Sequence, residues 1–272
     1  VVFVCKYIIT PVAQHLFEKY VDYRTTSVTP LKIGHDSAVA VSPDRLNSPH
    51  AILIRLKDHT ILMQKNSEEE IYPASLTKMM TAIVAIENLT DLNKEITLTN
   101  SVFQGLSEAD ASMAGFQPGE NVRAIDLLYG ALLPSGAESC IGLADYIAGS
   151  EEDFVGMMNQ KAADLSMHNT HFETFREIFT SSRHSTQPTN KHPDGITFYS
   201  TIFEELNHQN IIDGEFLGGK TGYTDEAGLC LASLAQVGKQ EYILISAGAK
   251  GDHHSEQYNI TDALAVYNSI VK

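Results

Sequence analysis

The sequence predicts an α/β fold of the α+β type, in which an antiparallel sheet is flanked by helices and joined to an all-helical subdomain. Two β-type runs about a short turn lie in the first quarter of the chain, and three more lie in the last quarter. Helical periodicity dominates between them. Because strands need partners to bury their apolar faces, the two terminal portions of the chain are expected to complete one sheet.

The N-terminal elements come first in the chain. Residues 1–45 predict an arm that contains one short amphipathic helix, Val12–Tyr23. The runs AILIRL and ILMQK flank Lys57–Thr60, which is typical of a β-hairpin. This hairpin leads into a helix whose first turn is marked by Pro73.

The rest of the chain, taken with the hairpin, is predicted to form one catalytic domain over residues 46–272, of which about 79–210 is mainly helical. The run EITLTN predicts a strand, and two helices follow with a break at Pro134–Gly136. The runs FLGGKTGYT, AGLCLASLAQV and EYILISAGA predict three strands. The last two are continuously apolar, which is typical of strands covered on both faces, and a helix over Thr261–Val271 is expected after them.

Composition and charge exclude several classes of protein. The 272 residues are 43% hydrophobic, enough for a substantial core, and 34 acidic side chains against 19 basic ones give a net charge of −15. That charge opposes a phosphate backbone, so no nucleic-acid partner is expected. No run of 18 apolar residues is present, so the chain itself is expected not to span a membrane. A signal or anchor segment upstream of Val1 remains an expectation.

The cysteines and histidines do not predict a metal or disulfide site. Cys5, Cys140 and Cys230 are widely spaced, with no CxxC pair, so they are expected to be ordinary small apolar residues. His184, His192 and Asp194 lie in one polar stretch and are candidate zinc ligands. It has no HExxH-like spacing, so a solvated loop is the better interpretation, and no metal or cofactor is expected.

A lysine on an apolar helix gives the first functional signal. From Ser75 to Leu89 the helix has no clean polar face, yet it carries Lys78 three residues after Ser75. A buried ammonium costs several kcal/mol unless it is paired or loses its proton. Residues three apart share a helix face, so a hydroxyl and an amine are expected to be neighbours in a dry place.

Three short motifs occur in order: Ser75-Leu76-Thr77-Lys78, Ser135-Gly136-Ala137 and Lys220-Thr221-Gly222. By average residue usage S-x-x-K arises about once by chance in a chain of this length, and K-T-G in about one such chain in twenty. Alone, Ser135 would be read as a helix N-cap and Lys220 as an edge-strand charge. The order and the setting of the three motifs together favour an enzyme.

These motifs resemble those of the penicillin-recognising serine enzymes, over about residues 46–272. Within that group the chain looks most like the low-molecular-mass penicillin-binding proteins, which are D-alanyl-D-alanine carboxypeptidases. The resemblance implies the penicillin-binding transpeptidase or serine β-lactamase-like fold. It also implies a cell-wall peptide ending in D-Ala-D-Ala as substrate, acylation by β-lactams, and a location outside the cytoplasm, in the cell envelope or secreted.

The resemblance also assigns roles to residues. It implies Ser75 as nucleophile, Lys78 as its base, and Ser135 as the hydroxyl that passes a proton to the leaving amine. Lys220 and Thr221 would hold the substrate carboxylate, while Gly136 and Gly222 would line the binding groove. The backbone N–H groups of Ser75 and Tyr223 would form the oxyanion hole.

Two departures from the family pattern bear on function. Ala137 stands where the family usually has an asparagine, and Glu138 is not expected to replace that amide because it points elsewhere at a helix start. Compared with the family, about two to three dozen residues are absent after Asn169–Phe172, at Glu173–Thr174. The preferred interpretation is that a loop of the protein has been left out of this sequence, and the alternative is that this member of the family lacks the loop.

Two further functions stay open beside the carboxypeptidase. A class A-like β-lactamase would need a deacylating glutamate in E-x-x-L-N, and the nearest string has Phe203 at that place. A non-catalytic sensor of peptidoglycan or β-lactams would fit the loss of the amide at Ala137.

Overall fold

The computed structural model describes residues 31–33, 39–163 and 172–270. The expected helix Val12–Tyr23 and most of the expected arm over residues 1–45 lie outside these residues. The described strands are β1 (Lys32–Ile33), β2 (His50–Arg55), β3 (Thr60–Lys65), β4 (Glu95–Leu98), β5 (Glu120–Arg123), β6 (Arg183–Ser185), β7 (Thr197–Tyr199), β8 (Gly214–Thr224), β9 (Gly228–Val237) and β10 (Gln240–Ala249).

The described α-helices fall mostly between β3 and β8. They are α1 (Thr77–Asn88), α2 (Ala124–Leu132), α3 (Ala137–Ala148), α4 (Glu151–Ala163), α5 (Phe172–Phe179), α6 (Thr201–Glu205) and α7 (Tyr258–Asn268). Over the part of the chain that the structure describes, no helix is both long enough and apolar enough to cross a bilayer.

The chain divides into two compact units, each with its own secondary structure. The first unit runs to Thr77 and resumes at Ile202, and the second is Lys78–Thr201. The first contains the large sheet with α7, and the second contains α2 to α5 with two small sheets. The second unit is therefore mainly helical rather than all-helical as expected.

The six-stranded sheet of the first unit has the order β1-β3-β2-β10-β9-β8. β1 pairs with β3 in parallel, and every other pair is antiparallel. β2 and β3 form the expected hairpin, and β10 pairs with β2 across the whole length of that strand. The prediction that both terminal portions of the chain complete one sheet is therefore confirmed.

The core of the first unit packs one face of this sheet against α7. Leu231 and Ala235 from β9, Leu244 from β10 and Val266 from α7 are all buried in one apolar cluster. Eight of the ten residues of β9 are buried, as expected for a strand covered on both faces. β8 lies at the edge of the sheet, so one side of its backbone is not paired with another strand of this sheet.

The second unit contains the two helices that the motif segment predicts. α2 ends at Leu132 and α3 begins at Ala137, so the break falls at the expected Pro134–Gly136. Leu127, Leu128 and Leu143 are fully buried between these and the neighbouring elements. The short pair β6–β7 was not predicted, because strands of three residues carry no usable periodicity.

Two helix boundaries bear on the predictions. α7 begins at Tyr258, three residues before the expected Thr261, and Asn259 is buried in its first turn. The Asn259 side-chain amide donates to Cys230 O at 3.1 Å, so a polar residue is accommodated inside the helix. The α5 backbone is helical across Glu173–Thr174, and residues 164–171 before it lie outside the described part.

Candidate active site

Ser75 lies in a short 3₁₀ turn, not in the first turn of an α-helix as expected. The turn spans Ala74–Leu76, and α1 follows directly at Thr77. Ala74 has φ +49°, a left-handed conformation that an α-helix cannot include, so the helix cannot extend back through this residue. Leu76 N donates to Pro73 O at 3.1 Å and closes the turn.

β8 packs directly against this turn at Gly222. A Cβ atom on Gly222 would lie 2.9 Å from Ser75 N, a separation that real Cβ atoms essentially never show, and 3.2 Å from Ala74 Cβ. Only glycine allows the strand and the turn to approach so closely. The structure thus brings the Ser75 backbone beside the Lys220-Thr221-Gly222 motif.

Lys220 is a buried lysine rather than an exposed edge-strand charge. Its side chain lies on β8, is 1% exposed, and its Nζ donates to Thr221 O at 2.8 Å. Tyr223, the next residue after the motif, donates its hydroxyl to Asp225 at 2.7 Å, and this hydrogen bond raises the pKa of Tyr223. An ammonium on an edge strand can form charge-assisted hydrogen bonds with an anionic group.

Lys78 and Ser135 are in direct contact within the second unit. Lys78 Nζ lies 3.0 Å from Ser135 Oγ and also donates to Ser135 O. Burial lowers the pKa of Lys78, while the nearby Cys140 and Glu138 act in the opposite direction. An amine and a hydroxyl therefore meet in a buried setting here, between residues 57 positions apart. The pair that the sequence predicted is a different one, Lys78 with Ser75, and it stays a prediction.

Ser135 is not a helix N-cap, which corrects one interpretation of the sequence. The N-cap of α3 is Gly136, and no side chain caps that end of the helix. Ser135 instead has φ +66°, a left-handed conformation that costs a non-glycine residue about 1–2 kcal/mol. This conformation leaves the Ser135 hydroxyl bonded to Lys78 rather than to the helix.

Close packing explains why residue 136 is a glycine. A Cβ atom on Gly136 would lie 2.7 Å from Ala114 Cβ and 2.8 Å from Ala114 N. Its own N–H donates to Gly130 O at 2.8 Å. Close approach of the chain around Ala114 therefore explains the glycine, and its contact with substrate stays a prediction.

Glu138 is a residue of this region whose importance the sequence did not reveal. It is fully buried, and its Oε1 accepts from the N–H groups of Ala114, Gly115 and Phe116 at 2.7, 2.9 and 3.3 Å. Burial raises its pKa and these hydrogen bonds lower it, with the net effect upward. A charged residue at the start of the apolar run after Ala137 was the available signal.

Glu205 is the second such residue, on α6 in the first unit. Burial raises its pKa to about 7, against the lowering effect of the charge on Lys220. Its Oε2 is buried and has no hydrogen-bond partner within the described chain. The sequence placed it only in a string that resembles a β-lactamase motif, which gave no hint of its burial.

The histidines weighed as metal ligands bind carboxylates instead. His184 Nε2 lies 2.7 Å from Asp126, and His192 Nδ1 lies 2.8 Å from Glu120, while Asp194 is exposed. Each pair joins two segments of the second unit. Among the described residues, no three His, Cys, Asp or Glu side chains are grouped so as to hold a metal ion.

Comparison with known sequences gives one consistent family. Residues 37–187 match Peptidase_S11, the D-alanyl-D-alanine carboxypeptidase family. The chain is 32% identical over 225 residues to D-alanyl-D-alanine carboxypeptidase DacF of Bacillus subtilis, covering 73% of this chain and 57% of that protein. It is 31% identical over 228 residues to DacC of Escherichia coli, covering 74% of this chain and 56% of that protein. The chain therefore spans little more than half the length of these curated relatives.

Comparison with solved structures gives the same fold. The Streptomyces K15 DD-transpeptidase matches with a TM-score of 0.71 and 22% identity, over 84% of this chain and 98% of that one. A D-alanyl-D-alanine carboxypeptidase from Mycobacterium tuberculosis matches with a TM-score of 0.67 and 21% identity, over 88% of this chain and 95% of that one. The expected fold, an antiparallel sheet flanked by helices, is confirmed by these matches.

Proposed function

The chain belongs to the D-alanyl-D-alanine carboxypeptidase family Peptidase_S11, and from this membership we propose that it is a serine peptidase that removes the terminal D-alanine from cell-wall peptides. The reaction would pass through an acyl-enzyme, and β-lactams would acylate the same serine. The observation that carries the proposal is the bond between Lys78 Nζ and Ser135 Oγ, in a setting where burial lowers the pKa of the lysine.

Lys78 fits the role of the base. A serine hydroxyl becomes a good nucleophile only when a neighbouring group takes its proton, and a lysine can take it only as the neutral amine. The lowered pKa of Lys78 increases the fraction of that neutral form. We propose that it accepts the proton of Ser75, three residues before it in the chain, as the Ser75 oxygen attacks the scissile carbonyl.

Ser135 fits the role of proton carrier to the leaving group. Its hydroxyl already accepts a hydrogen bond from Lys78, so a proton held on Lys78 can pass through Ser135 to the amine of the departing D-alanine. Breakdown of the tetrahedral intermediate then releases D-alanine and leaves an ester on Ser75. Water hydrolyses that ester, and the proton returns to Ser75.

β8 fits the role of the substrate-binding strand. We propose that the Lys220 ammonium and the Thr221 hydroxyl bind the terminal carboxylate, and that the backbone of Gly222 and Gly136 contacts the extended peptide. The N–H groups of Ser75 and Tyr223 would stabilise the oxyanion, which carries charge only in the transition state. The contact of Gly222 with the Ser75 turn supports this role, because it keeps the two donors on adjoining backbone.

Location and partners follow from the substrate. Cell-wall peptides ending in D-Ala-D-Ala lie outside the cytoplasmic membrane, so we propose an extracytoplasmic enzyme, either secreted or anchored to the membrane. We also propose residues 46–272 as the catalytic domain, with about 79–210 as its mainly helical part and 1–45 as an arm.

Covalent labelling with penicillin tests the chemistry. The protein is incubated with excess benzylpenicillin, and the intact mass and the modified peptide are measured. We expect one penicillin adduct on Ser75 in the wild type and none in Ser75→Ala, while Ser101→Ala, which alters an exposed serine on a short 3₁₀ helix of the second unit, labels as the wild type does. An intact wild type that gains no mass at high drug concentration and long times would contradict the proposal.

Release of D-alanine distinguishes the enzyme from a sensor. Ala137 supplies no polar group where the family usually has an amide, and this observation favours a sensor as the second candidate. A peptide ending in D-Ala-D-Ala is incubated with the protein, and free D-alanine is measured over time. Release by wild type but not by Ser75→Ala supports the peptidase, labelling without release supports the sensor, and rapid turnover of penicillin supports a β-lactamase.

A further inference from the structure

Ser135 is held in a conformation that its own local sequence disfavours. Its φ of +66° is strained for a residue with a Cβ atom, and such strain persists only where surrounding contacts fix it. One of those contacts is the hydrogen bond from Ala137 N to Ser112 O at 2.8 Å. The backbone that supplies Ser112 O therefore helps to determine where the Ser135 hydroxyl lies.

That backbone, the 112–116 segment, is in turn bound by Glu138. Three successive N–H groups, from Ala114 to Phe116, donate to the single oxygen Glu138 Oε1 at 2.7 to 3.3 Å. Ala114 also packs so closely on Gly136 that a Cβ atom there would clash. Glu138 thus connects the first turn of α3 to the 112–116 segment. The residues that follow Ser135 contact the same segment, Ala137 through Ser112 O and Gly136 through Ala114.

The complete burial of the Glu138 carboxylate requires a physical explanation. Glu138 is 0% exposed, and its second oxygen, Oε2, has no hydrogen-bond partner among the described residues. Burying a carboxylate is costly unless hydrogen bonds offset the cost, and an apolar residue of similar volume is often as stable. The N-terminal end of α3 offsets part of this cost through its dipole.

We propose that Glu138 is a positioning residue that fixes the Ser135 turn by binding the 112–116 segment, and so keeps Ser135 Oγ within hydrogen-bonding distance of Lys78. The catalytic part of this inference rests on the proposed function. Glu138 does not replace the amide that is absent at Ala137, since its carboxylate binds backbone N–H groups. Glu138 acts through Ser135, so its substitution should slow acylation only in variants that retain the Ser135 hydroxyl.

A double-mutant cycle tests this inference. The rate constant for acylation of Ser75 by labelled penicillin is measured in wild type, Glu138→Ala, Ser135→Ala and the double variant. A misplacement of about 1 Å can cost about 100-fold in rate, so we expect Glu138→Ala to lower acylation by about 10- to 100-fold. In the Ser135→Ala background the same change should lower it by less than about threefold. Equal factors in the two backgrounds would overturn the proposal.

Variants of matched chemistry separate positioning from general stability. Glu138→Gln keeps an oxygen that can accept the three N–H bonds, so acylation should return to within about threefold of wild type. Glu138→Met fills the space without an acceptor and should behave as Glu138→Ala does; it also serves if the alanine variant fails to fold. Glu120→Ala removes another fully buried carboxylate of the second unit, bound to Gln117 N, and should show no coupling to Ser135.

Amide hydrogen exchange tests the structural part without any activity. In Glu138→Ala, exchange at Ala114, Gly115, Phe116 and Ala137 should accelerate by about tenfold or more, while Leu128 in α2 exchanges as in wild type. An unchanged rate at Ala137 would overturn the proposal. If wild type takes no penicillin, the proposed function fails, and the exchange result alone decides whether Glu138 fixes the turn.

Discussion

Burial alters the protonation of individual side chains on both units. Lys78 has its pKa lowered by burial, which favours the neutral amine, whereas Glu205 has its pKa raised to about 7, which favours the neutral acid. Both shifts have the same cause, since removal from water penalises whichever form is charged. Lys220 is buried as well, and the charge it carries opposes the shift of Glu205.

Glu205 predicts a pH-dependent contribution to stability. Its pKa of about 7 lies above the value of 4.5 for a free glutamate, so the folded protein holds this proton more tightly than the unfolded chain. Stability from this group is therefore fully present below about pH 4.5 and is lost as the pH rises through about 7. The shift corresponds to roughly 3 kcal/mol, and partial exposure reduces this to about 1–2 kcal/mol.

Glu205→Gln should remove this dependence, because the amide mimics the neutral acid at every pH. We expect the variant to gain about 1–2 kcal/mol over wild type at pH 8 and little at pH 4.5. Urea unfolding at several pH values measures the difference. Glu215→Gln, at an exposed position of β8, serves as control, and parallel pH curves for Glu205→Gln and wild type would refute the prediction.

At the scale of elements, the contact of β8 with the Ser75 turn depends on the absence of one side chain. Gly222→Ala would place a methyl group 2.9 Å from Ser75 N, so the strand and the turn must move apart. We expect acylation by penicillin to fall by about 10- to 100-fold, because small displacements of reacting groups carry large penalties in rate. Stopped-flow or quenched labelling measures the rate constant.

A glycine in open space provides the matched control. Gly156 lies within α4, and a Cβ atom there meets nothing within 4 Å. Gly156→Ala should leave acylation unchanged and stabilise the protein by about 0.5–1 kcal/mol, since alanine favours the helix. If Gly222→Ala were acylated as fast as Gly156→Ala, the close contact would have no catalytic consequence.

At the scale of the whole molecule, one sheet is built from both ends of the described chain. Tyr267 of α7 binds the two neighbouring strands β9 and β10 of this sheet. Its hydroxyl accepts a hydrogen bond from Leu244 N at 3.1 Å and donates one to Ser233 O at 3.1 Å. The side chain is fully buried, and burial raises its pKa far above the usual range. This single hydroxyl satisfies polar groups that lie deep in the core of the first unit.

Tyr267→Phe should therefore destabilise the first unit by about 1–3 kcal/mol, because the buried backbone groups of Leu244 and Ser233 lose their hydrogen bonds to the Tyr267 hydroxyl. The midpoint of urea unfolding should fall accordingly. Tyr199→Phe, whose side chain is 49% exposed, should change the midpoint by no more than about 0.5 kcal/mol equivalent. Equal midpoints for Tyr267→Phe and wild type would contradict the role of the hydroxyl.

The sequence by itself determined the longer elements and the three motifs. The hairpin, the break at Pro134–Gly136 and the three C-terminal strands all follow from short-range periodicity and turn residues, and the structure confirms each of them. The motifs also led to the family, because their residues and order are local properties of the chain. The start of α7 differs from the predicted one, because a tertiary hydrogen bond accommodates the buried polar residue Asn259 in the first turn of the helix.

Only the tertiary structure decided how the candidate catalytic groups are held. The bond of Lys78 to Ser135, the left-handed Ser135 turn and the burial of Glu138 join residues that are far apart in sequence. The same is true of the contact between Gly222 and the Ser75 turn. Local patterns fix which face of an element is apolar, but the pKa of a side chain and the conformation of a turn depend on what long-range packing places against them.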